Sequence, residues 1–297
     1  METLRTPDDR FSDLPGYSFT PNYVDDLPGL TDCRIHYLDE GPADADVTWL
    51  CLHGQPSWCY LYRKMIPIFT AAGQRVIAPD LAGFGRSDKP VDDSTYTFDF
   101  HRNMLLQLID RLDLKNVHLV CQDWGGLLGL TLPMENPDRY TALLVMNTAL
   151  GTGDIPLGEG FLAWREYVRS RPDLDVAKLL QRSTPILSDA EAEAYAAPYP
   201  DVSFKAGVRQ FPQLVPDNPD APGAALSRKA RSWWQEEWQG KSLMAIGIQD
   251  PVLGPKAMRY LHSIIRNCPP PIELPEAGHF VQEWGEDVAA AAIEAFR

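Results

Sequence analysis

Positions 117–126 carry the sequence VHLVCQDWGG, in which the apolar run 117–121 leads into a turn of small residues. A helix is predicted to follow over 127–135. This order of strand, sharp turn and helix is typical of a nucleophile elbow, in which the middle residue is held up at the end of the strand. Serine hydrolases have Ser at that place, whereas this chain has Asp123. That one position therefore narrows the electrophiles that the site can attack.

The rest of the chain indicates an α/β fold with a mostly parallel sheet. Strand-like runs alternate with helix-like runs, such as the helix predicted over 101–112, and this alternation is typical of parallel sheets flanked by helices. An antiparallel lead-in is predicted at 34–37. The predicted strands of the main sheet are 48–52, 75–78, 117–121, 142–146, 243–248 and 272–274.

The alternation stops within residues 151–220, which are rich in Pro and Gly. Ligands of open α/β sheets bind outside the carboxyl ends of the strands, so we expect this segment to be an inserted helical cap over that edge. Residues 1–150 and 221–297 are then predicted to form the core. The predicted cap helices are 161–169, 174–181 and 189–197, the last with Ser188 as its N-cap.

Composition restricts the class of partner. The 297 residues carry a net charge of −14, which disfavours binding to nucleic acid or to anionic membranes. No apolar run is long enough for a transmembrane helix, and residues 1–15 lack the apolar core of a signal peptide. The five cysteines are an odd number with no Cys-x-x-Cys spacing, which favours a reducing, cytoplasmic location and indicates no zinc site.

The residues that would assist Asp123 follow predicted strands late in the chain. Of the six histidines, only His279 lies on a loop after the last predicted strand, where a general base is expected. Asp250 follows the run 243–248 and is predicted to hold His279 in one tautomer and to stabilise its protonated form. The alternative place for this acid, after the run 142–146, is occupied by Asn147, which carries no charge.

A carboxylate at the elbow is suited to attack on an sp3 carbon. Attack by Asp123 on such a carbon gives an ordinary ester, which water can hydrolyse with His279 as general base. The tetrahedral centre of that second step lies on the enzyme's own carboxyl group. Its oxyanion is expected to be bound by the backbone N–H groups of Gln55 and Trp124.

Two leaving groups fit this chemistry. A halide needs hydrogen-bond donors in an apolar pocket, and the indole N–H groups of Trp124 and Trp164 would provide them. An epoxide oxygen needs an acid instead, and the predicted cap contains Tyr167, Tyr195 and Tyr199. A third reading is a sensor that binds a ligand without turnover. The complete set of two acids and one histidine argues against it.

The motifs together resemble the haloalkane dehalogenases of the α/β-hydrolase fold, specifically those that use a cap Trp as second halide ligand. The resemblance covers roughly residues 40–296. The motifs that carry it are His53-Gly54-Gln55-Pro56, Gln122-Asp123-Trp124-Gly125-Gly126, Gly160-Phe161-Leu162-Ala163-Trp164, Gln249-Asp250 and Ala277-Gly278-His279-Phe280-Val281-Gln282-Glu283.

The resemblance implies roles for residues in this chain. It makes Asp123 the nucleophile, His279 the base and Asp250 the orienting acid, with Trp124 and Trp164 as halide ligands. The pocket would be lined by Phe161, Leu127, Val252 and Leu253.

The resemblance implies no cofactor and no metal, and a haloalkane and water as the only reactants. Nothing in the sequence indicates an obligate partner, so a monomer is expected, although the sequence leaves the oligomeric state open. The chain differs from members of the family at Gln55, where they have Glu or Asn, and at Ser183, where a close relative has a bulky aromatic residue. At Gln55 the backbone role is expected to be kept, whereas the help of the side chain in placing the hydrolytic water is expected to differ. The small Ser183 predicts a wider pocket or tunnel.

Overall fold

The computed structural model describes residues 1–30 and 32–297. Its strands are β1 (Thr3–Leu4), β2 (Asn22–Val24), β3 (Ile35–Glu40), β4 (Thr48–Leu52), β5 (Arg75–Pro79), β6 (Lys89–Pro90), β7 (Val117–Cys121), β8 (Tyr140–Met146), β9 (Lys241–Gly247) and β10 (Ile272–Leu274). Its α-helices are α1 (Ile66–Ala71), α2 (Phe98–Arg111), α3 (Trp124–Gly129), α4 (Glu159–Arg169), α5 (Val176–Ser183), α6 (Asp189–Ala196), α7 (Ala206–Leu214), α8 (Ala224–Glu236), α9 (Pro255–Ile264) and α10 (Gly285–Phe296). Short 3₁₀ helices occupy Asp8–Phe11, Cys59–Tyr62, Asp93–Thr95, Pro133–Glu135, Pro137–Arg139, Val202–Lys205 and Val281–Trp284.

Eight of these strands form one sheet in the order β10-β9-β8-β7-β4-β5-β3-β2. The strands from β10 to β5 pair in parallel, whereas β3 is antiparallel to both β5 and β2. This confirms the predicted mostly parallel sheet with an antiparallel lead-in. The central strand β7 lies between β4 and β8, and every residue of β4 and β7 is buried. Such continuous burial explains their mostly apolar sequences, because helices cover both faces of the sheet.

The parallel pairing brings the ends of four strands to one edge. His53, Asp123, Asn147 and Asp250 follow β4, β7, β8 and β9, either directly or within three residues. Because parallel strands end at the same edge, these side chains converge there, although up to about 200 residues separate them in the chain. The fold thus assembles the polar residues that the sequence places after strands.

Four helices, α4 to α7, lie between β8 and the helix α8 that precedes β9. The first three were predicted to within two residues, and Ser188 caps α6 through a capping box with Glu191. Helix α7 was not predicted, because Pro212 lies inside it. The assignment of residues 151–220 as a separate cap stays a prediction.

The helix predicted over 127–135 was wrong at both ends. Helix α3 begins at Trp124, because the carbonyl of Asp123 accepts hydrogen bonds from the N–H groups of Gly126 (2.9 Å) and Leu127 (3.0 Å). It ends at Gly129, and Pro133 begins a separate 3₁₀ helix. None of the helices in the described part of the chain combines the length and apolar character needed to cross a lipid bilayer.

Candidate active site

The elbow holds Asp123 in a backbone conformation that few non-glycine residues adopt, with φ 50° and ψ −126°. Close packing enforces it. A Cβ on Gly125 would collide with the carbonyl of Leu52 on β4, and one on Gly126 would collide with the side chain of Thr148. The two glycines therefore let α3 lie directly against the sheet, so that the carboxylate of Asp123 is raised above the strand end.

His279 lies between the two carboxylates that were predicted to accompany it. Its Nδ1 is 2.7 Å from Oδ2 of Asp250, and its Nε2 is 3.5 Å from Oδ2 of Asp123. The side chain of Asp250 is fully buried, and its Oδ1 accepts the backbone N–H groups of Val252 (2.8 Å) and Leu253 (3.1 Å). The structure thus brings together the three residues that the sequence analysis selected.

Burial and charge act in opposite directions on this group. Burial alone would lower the pKa of His279, but the carboxylates of Asp250 and Asp123 outweigh it and raise the pKa to about 10. Burial likewise opposes ionisation of Asp250, yet His279, Asn147 and the N–H of Val252 hold the pKa of this carboxyl below its usual range. The two carboxylates therefore favour the protonated form of the imidazole.

The predicted oxyanion donors lie beside Asp123. The backbone N–H of Gln55 donates to Oδ1 of Asp123 at 2.7 Å. The N–H of Trp124 opens α3 and so has no acceptor within that helix. The side chain of Gln55 donates to the carbonyl of Val208 in α7 at 2.9 Å. The side-chain amide of Gln55 thus links the strand edge to α7.

The two tryptophans predicted as halide ligands have free indole N–H groups. Trp124 packs edge-on against Phe211 with ring centroids 4.8 Å apart, and Trp164 stacks on Tyr167. Within residues 1–30 and 32–297, neither of their N–H groups meets an acceptor. By contrast, those of Trp49, Trp58, Trp234 and Trp238 donate to Gln74, Ala194, Leu130 and Ser242.

A cavity of about 1350 Å³ opens above Asp123. All the residues predicted for the site contribute to its wall, namely Asp123, Trp124, Leu127, Phe161, Trp164, Val252, Leu253, Gln55, Asp250 and His279. Ser183, where a bulkier residue was noted in a relative, also lines it. The cavity is larger than the range of about 300–1,000 Å³ common for small-molecule sites. The wider pocket or tunnel expected from Ser183 stays a prediction.

The three tyrosines that could act as an acid differ in position. Tyr167 lines the cavity, but Tyr195 and Tyr199 do not. The buried hydroxyl of Tyr195 donates to Glu283, and that of Tyr199 donates to the carbonyl of Pro56 at 3.2 Å. The epoxide alternative is therefore reduced to Tyr167.

Two neighbours of the site were missed as supporting residues. Nδ2 of Asn147 donates to Oδ2 of Asp250 at 2.9 Å and to the carbonyl of Gly247 at 3.0 Å. Nε2 of Gln122 donates to the carbonyl of His279 at 3.0 Å. Both residues directly follow a strand, and this position is the signal in the sequence that could have identified them.

One buried trio away from this cavity, His36, Cys59 and Asp80, places ligand-type atoms within 4.8 Å of one another. The carboxylate of Asp80 is already bound by Nδ1 of His36 (2.7 Å) and by the N–H groups of Cys59 (2.7 Å) and Arg86 (2.8 Å). Its oxygens thus serve to fix the loop after β5, which accounts for the cluster without a metal ion.

Comparisons with known proteins agree with this geometry. A model of the alpha/beta hydrolase fold family matches residues 49–286. A haloalkane dehalogenase of Psychrobacter cryohalolentis is 48% identical over 99% of this chain and 98% of its own length, and one of Mycolicibacterium paratuberculosis is 41% identical over 95% and 94%. The solved structure of haloalkane dehalogenase DpaA from Paraglaciecola agarilytica, described as tetrameric, matches with a TM-score of 0.98 and 52% identity, and covers 100% of this chain and 99% of its own.

Proposed function

This chain belongs to the haloalkane dehalogenase family of the α/β-hydrolase fold, and on that premise we propose how its residues hydrolyse a haloalkane to an alcohol, a halide ion and a proton. The observation that carries the proposal is the position of Asp123 at the base of the cavity. Its Oδ1 is bound by the N–H of Gln55 at 2.7 Å, and its Oδ2 lies 3.5 Å from His279.

In the first step, Oδ2 of Asp123 attacks the halogen-bearing carbon. The new C–O bond forms as the carbon–halogen bond breaks, and the bonding electrons leave with the halide. The product is a neutral alkyl ester on Asp123. The free indole N–H groups of Trp124 and Trp164 would bind the halide as its charge develops, because they have no competing acceptor in the described part of the chain.

In the second step, water attacks the Asp123 carboxyl carbon and His279 accepts its proton. Because the ester has removed the negative charge of Asp123, one of the two causes of the raised pKa of His279 is gone, and the imidazole first loses its proton to solvent. As a neutral base it then accepts the proton of the attacking water, and the N–H groups of Gln55 and Trp124 would bind the oxyanion on Oδ1. When the tetrahedral centre collapses, the alkoxide takes that proton from His279 and leaves as the alcohol, and the remaining carboxyl proton of Asp123 passes to His279, which restores the carboxylate.

We further propose that residues 151–220 form the cap of this site and supply Phe161 and Trp164 to it. Both residues lie on α4 and line the cavity together with Leu127, Val252 and Leu253. These apolar walls would exclude bulk water from the reacting carbon and leave the few polar groups to direct the chemistry.

The test is release of bromide and protons from a panel of bromoalkanes. With His279→Gln, we expect bromide release to stop after one turnover and the mass of the protein to rise by that of the alkyl group on Asp123. Asp123→Asn should give neither product nor adduct. Binding without bromide release by the wild-type protein would favour a sensor over an enzyme.

A simple epoxide added to the panel tests the epoxide alternative, which stays open because Tyr167 lines the cavity. Diol formation from a simple epoxide that is lost with Tyr167→Phe but kept with Trp164→Phe would favour an epoxide hydrolase. We expect the reverse dependence, with bromide release that needs Trp164 and tolerates Tyr167→Phe.

For the assembly and location we propose a monomer in the cytoplasm. The net charge of −14 opposes self-association, and the five cysteines are free thiols, as is usual in reducing compartments. Light scattering after size-exclusion chromatography should give 33.3 kDa, and cell fractionation should recover the protein with cytoplasmic markers. A mass four times as large would match the assembly described for DpaA and contradict the monomer.

A further inference from the structure

Glu283 is a buried carboxylate outside the reaction site that is bound by two cationic side chains. Its side chain is fully buried and receives two hydrogen bonds from Arg63, Nη1 to Oε1 at 2.6 Å and Nη2 to Oε2 at 2.8 Å. Nζ of Lys64 lies 3.0 Å from Oε2. Removing such a carboxylate from water is costly, and an apolar packing of similar volume is often as stable. Stability alone therefore does not explain why a carboxylate with several directional hydrogen bonds occupies this buried position.

These bonds connect the core to helix α6. Nη2 of Arg63 also donates to Oε1 of Glu191 at 2.8 Å, and Glu191 is the residue that closes the capping box at the start of α6. Tyr195, one turn further along α6, donates its hydroxyl to Oε1 of Glu283. The ring of Tyr195 is fully buried and lies 5.0 Å from the ring of Tyr60. Glu283 thus joins two side chains of α6 to the core, Tyr195 directly and Glu191 through Arg63.

The same carboxylate lies four residues after His279, in the 3₁₀ helix Val281–Trp284. The ring of Phe280 packs edge-on against the imidazole of His279, with centroids 4.9 Å apart, and its other neighbour is the ring of Tyr195 at 6.3 Å. Nζ of Lys64 donates to the backbone carbonyl of Glu283 at 3.0 Å. The loop that carries His279 is thereby held from its C-terminal side.

We propose that Glu283, together with Arg63, Glu191 and Tyr195, positions His279 for hydrolysis of the alkyl-enzyme ester and couples that positioning to helix α6. The inference rests on the proposed function. These residues do not touch the reacting atoms: they act through Phe280 and the loop backbone. Ester formation depends on Asp123 at the elbow, which the network does not contact, so its loss should slow the second step and leave the first unchanged.

Two substitutions remove parts of the network while keeping volume. Tyr195→Phe deletes one hydrogen bond but keeps the ring beside Phe280, and Glu191→Gln deletes the charge that faces Arg63 from α6. A matched control is Asp39→Asn, which weakens the two-hydrogen-bond pair with Arg75 at the edge of the sheet, far from His279 in the fold. Glu283→Gln is the severe variant, because it neutralises one of the two carboxylates that bind the buried Arg63.

Single-turnover experiments with a bromoalkane measure the two steps separately, as bromide release and as alcohol formation. We expect Tyr195→Phe and Glu191→Gln to slow alcohol formation roughly tenfold with bromide release within about twofold of wild type, since small misplacements of a catalytic group are costly. Asp39→Asn should change neither rate. Equal slowing of both steps, or no change in alcohol formation, would overturn the proposal.

A second measurement does not depend on turnover. The proton on Nδ1 of His279, shared with Asp250 at 2.7 Å, should give a downfield proton resonance. We expect this resonance to broaden through faster exchange in Tyr195→Phe and Glu191→Gln but to stay sharp in Asp39→Asn. If the wild-type protein released no bromide, the proposed function would fail while this spectrum still tested the network. An unchanged resonance in both variants would remove the positioning role.

Discussion

At the scale of the residue, His279 is governed by the two carboxylates on either side of it. Asp250 is 2.7 Å from Nδ1 and Asp123 is 3.5 Å from Nε2, and together they raise the pKa of His279 to about 10. Of these two carboxylates, only Asp123 loses its negative charge during the proposed reaction, when it becomes an ester. The pair therefore predicts that His279 is a proton-bearing group at rest and a base once Asp123 is esterified.

Asp123→Asn reproduces the neutral charge of the ester. Loss of a negative charge close to the imidazole disfavours its protonated form, so the pKa of His279 should fall by roughly one to three pH units. Titration of the ¹⁵N-labelled ring by NMR measures this directly. An unchanged pKa would mean that Asp250 alone raises the pKa of His279. Esterification of Asp123 could then not convert His279 into a base between the two steps.

The halide ligands allow a second prediction at this scale. Trp164→Phe keeps an aromatic ring against Tyr167 but deletes the free N–H, and a hydrogen bond to a charged group contributes about 1.5–3 kcal/mol. Bromide affinity measured by calorimetry should therefore fall about tenfold or more. Trp233→Phe is the control, because Trp233 lies on α8 and does not line the cavity. Equal losses in both variants would argue against Trp164 as a ligand.

At the scale of the element, the elbow depends on how closely α3 approaches β4. Gly125→Ala would place a methyl group against the carbonyl of Leu52, which cannot move without breaking the sheet. We expect a stability loss of about 1–3 kcal/mol from overpacking and a fall in activity on the order of 100-fold, as Asp123 shifts. Gly158→Ala is the control: its Cβ would meet no atom within 4 Å, and its φ of −68° suits alanine. Activity retained in Gly125→Ala would contradict this view of the elbow.

Strands could be predicted better than the helices between them. The residues of β7 are apolar except His118 because the strand is covered on both faces, so the sequence marks it clearly. The end of α3 is set by distant contacts: Oγ1 of Thr131 donates to the carbonyl of Leu128 at 2.7 Å and accepts from Nε of Arg102 at 2.9 Å. A local pattern contains no information about Arg102, and the helix was predicted too long for that reason.

The same limit applies to the site. Asp123, Asp250 and His279 could be selected because each follows a strand, and the fold turns that sequence property into proximity. Asn147 also follows a strand, but the bonds that the supporting residues make could not be predicted. Asn147 lies 103 positions from Asp250, and Arg63 lies 220 positions from Glu283. These pairs depend on sheet order and on the packing of α6, neither of which is encoded in a short motif.

At the scale of the whole molecule, two buried groups should lower the free energy of unfolding as the pH falls, each in its own pH range. Burial of His118 between Trp49 and Phe296 lowers its pKa to about 4. Between the two pKa values the unfolded chain binds a proton that the folded protein does not bind. The free energy of unfolding therefore falls as the pH falls from about 6.5 towards 4. Burial alone would raise the pKa of Asp80, but His36 and the N–H of Cys59 outweigh it and bring the pKa to about 2. Its contribution is present above about pH 4 and is lost below that value.

The His118 contribution can be isolated by substitution. His118→Phe suits the aromatic surroundings and removes the titrating group, so the free energy of unfolding, measured with urea, should fall about 2 kcal/mol less between pH 7 and pH 4.5 than in the wild type. His262→Gln on the half-exposed side of α9 is the control and should follow the wild type. If His118→Phe kept the full wild-type slope, the loss above pH 4 would have to come from other groups, such as the carboxylates and His101, whose pKa burial also lowers to about 4. Burial of a neutral histidine in the central strand would then have no part in acid unfolding.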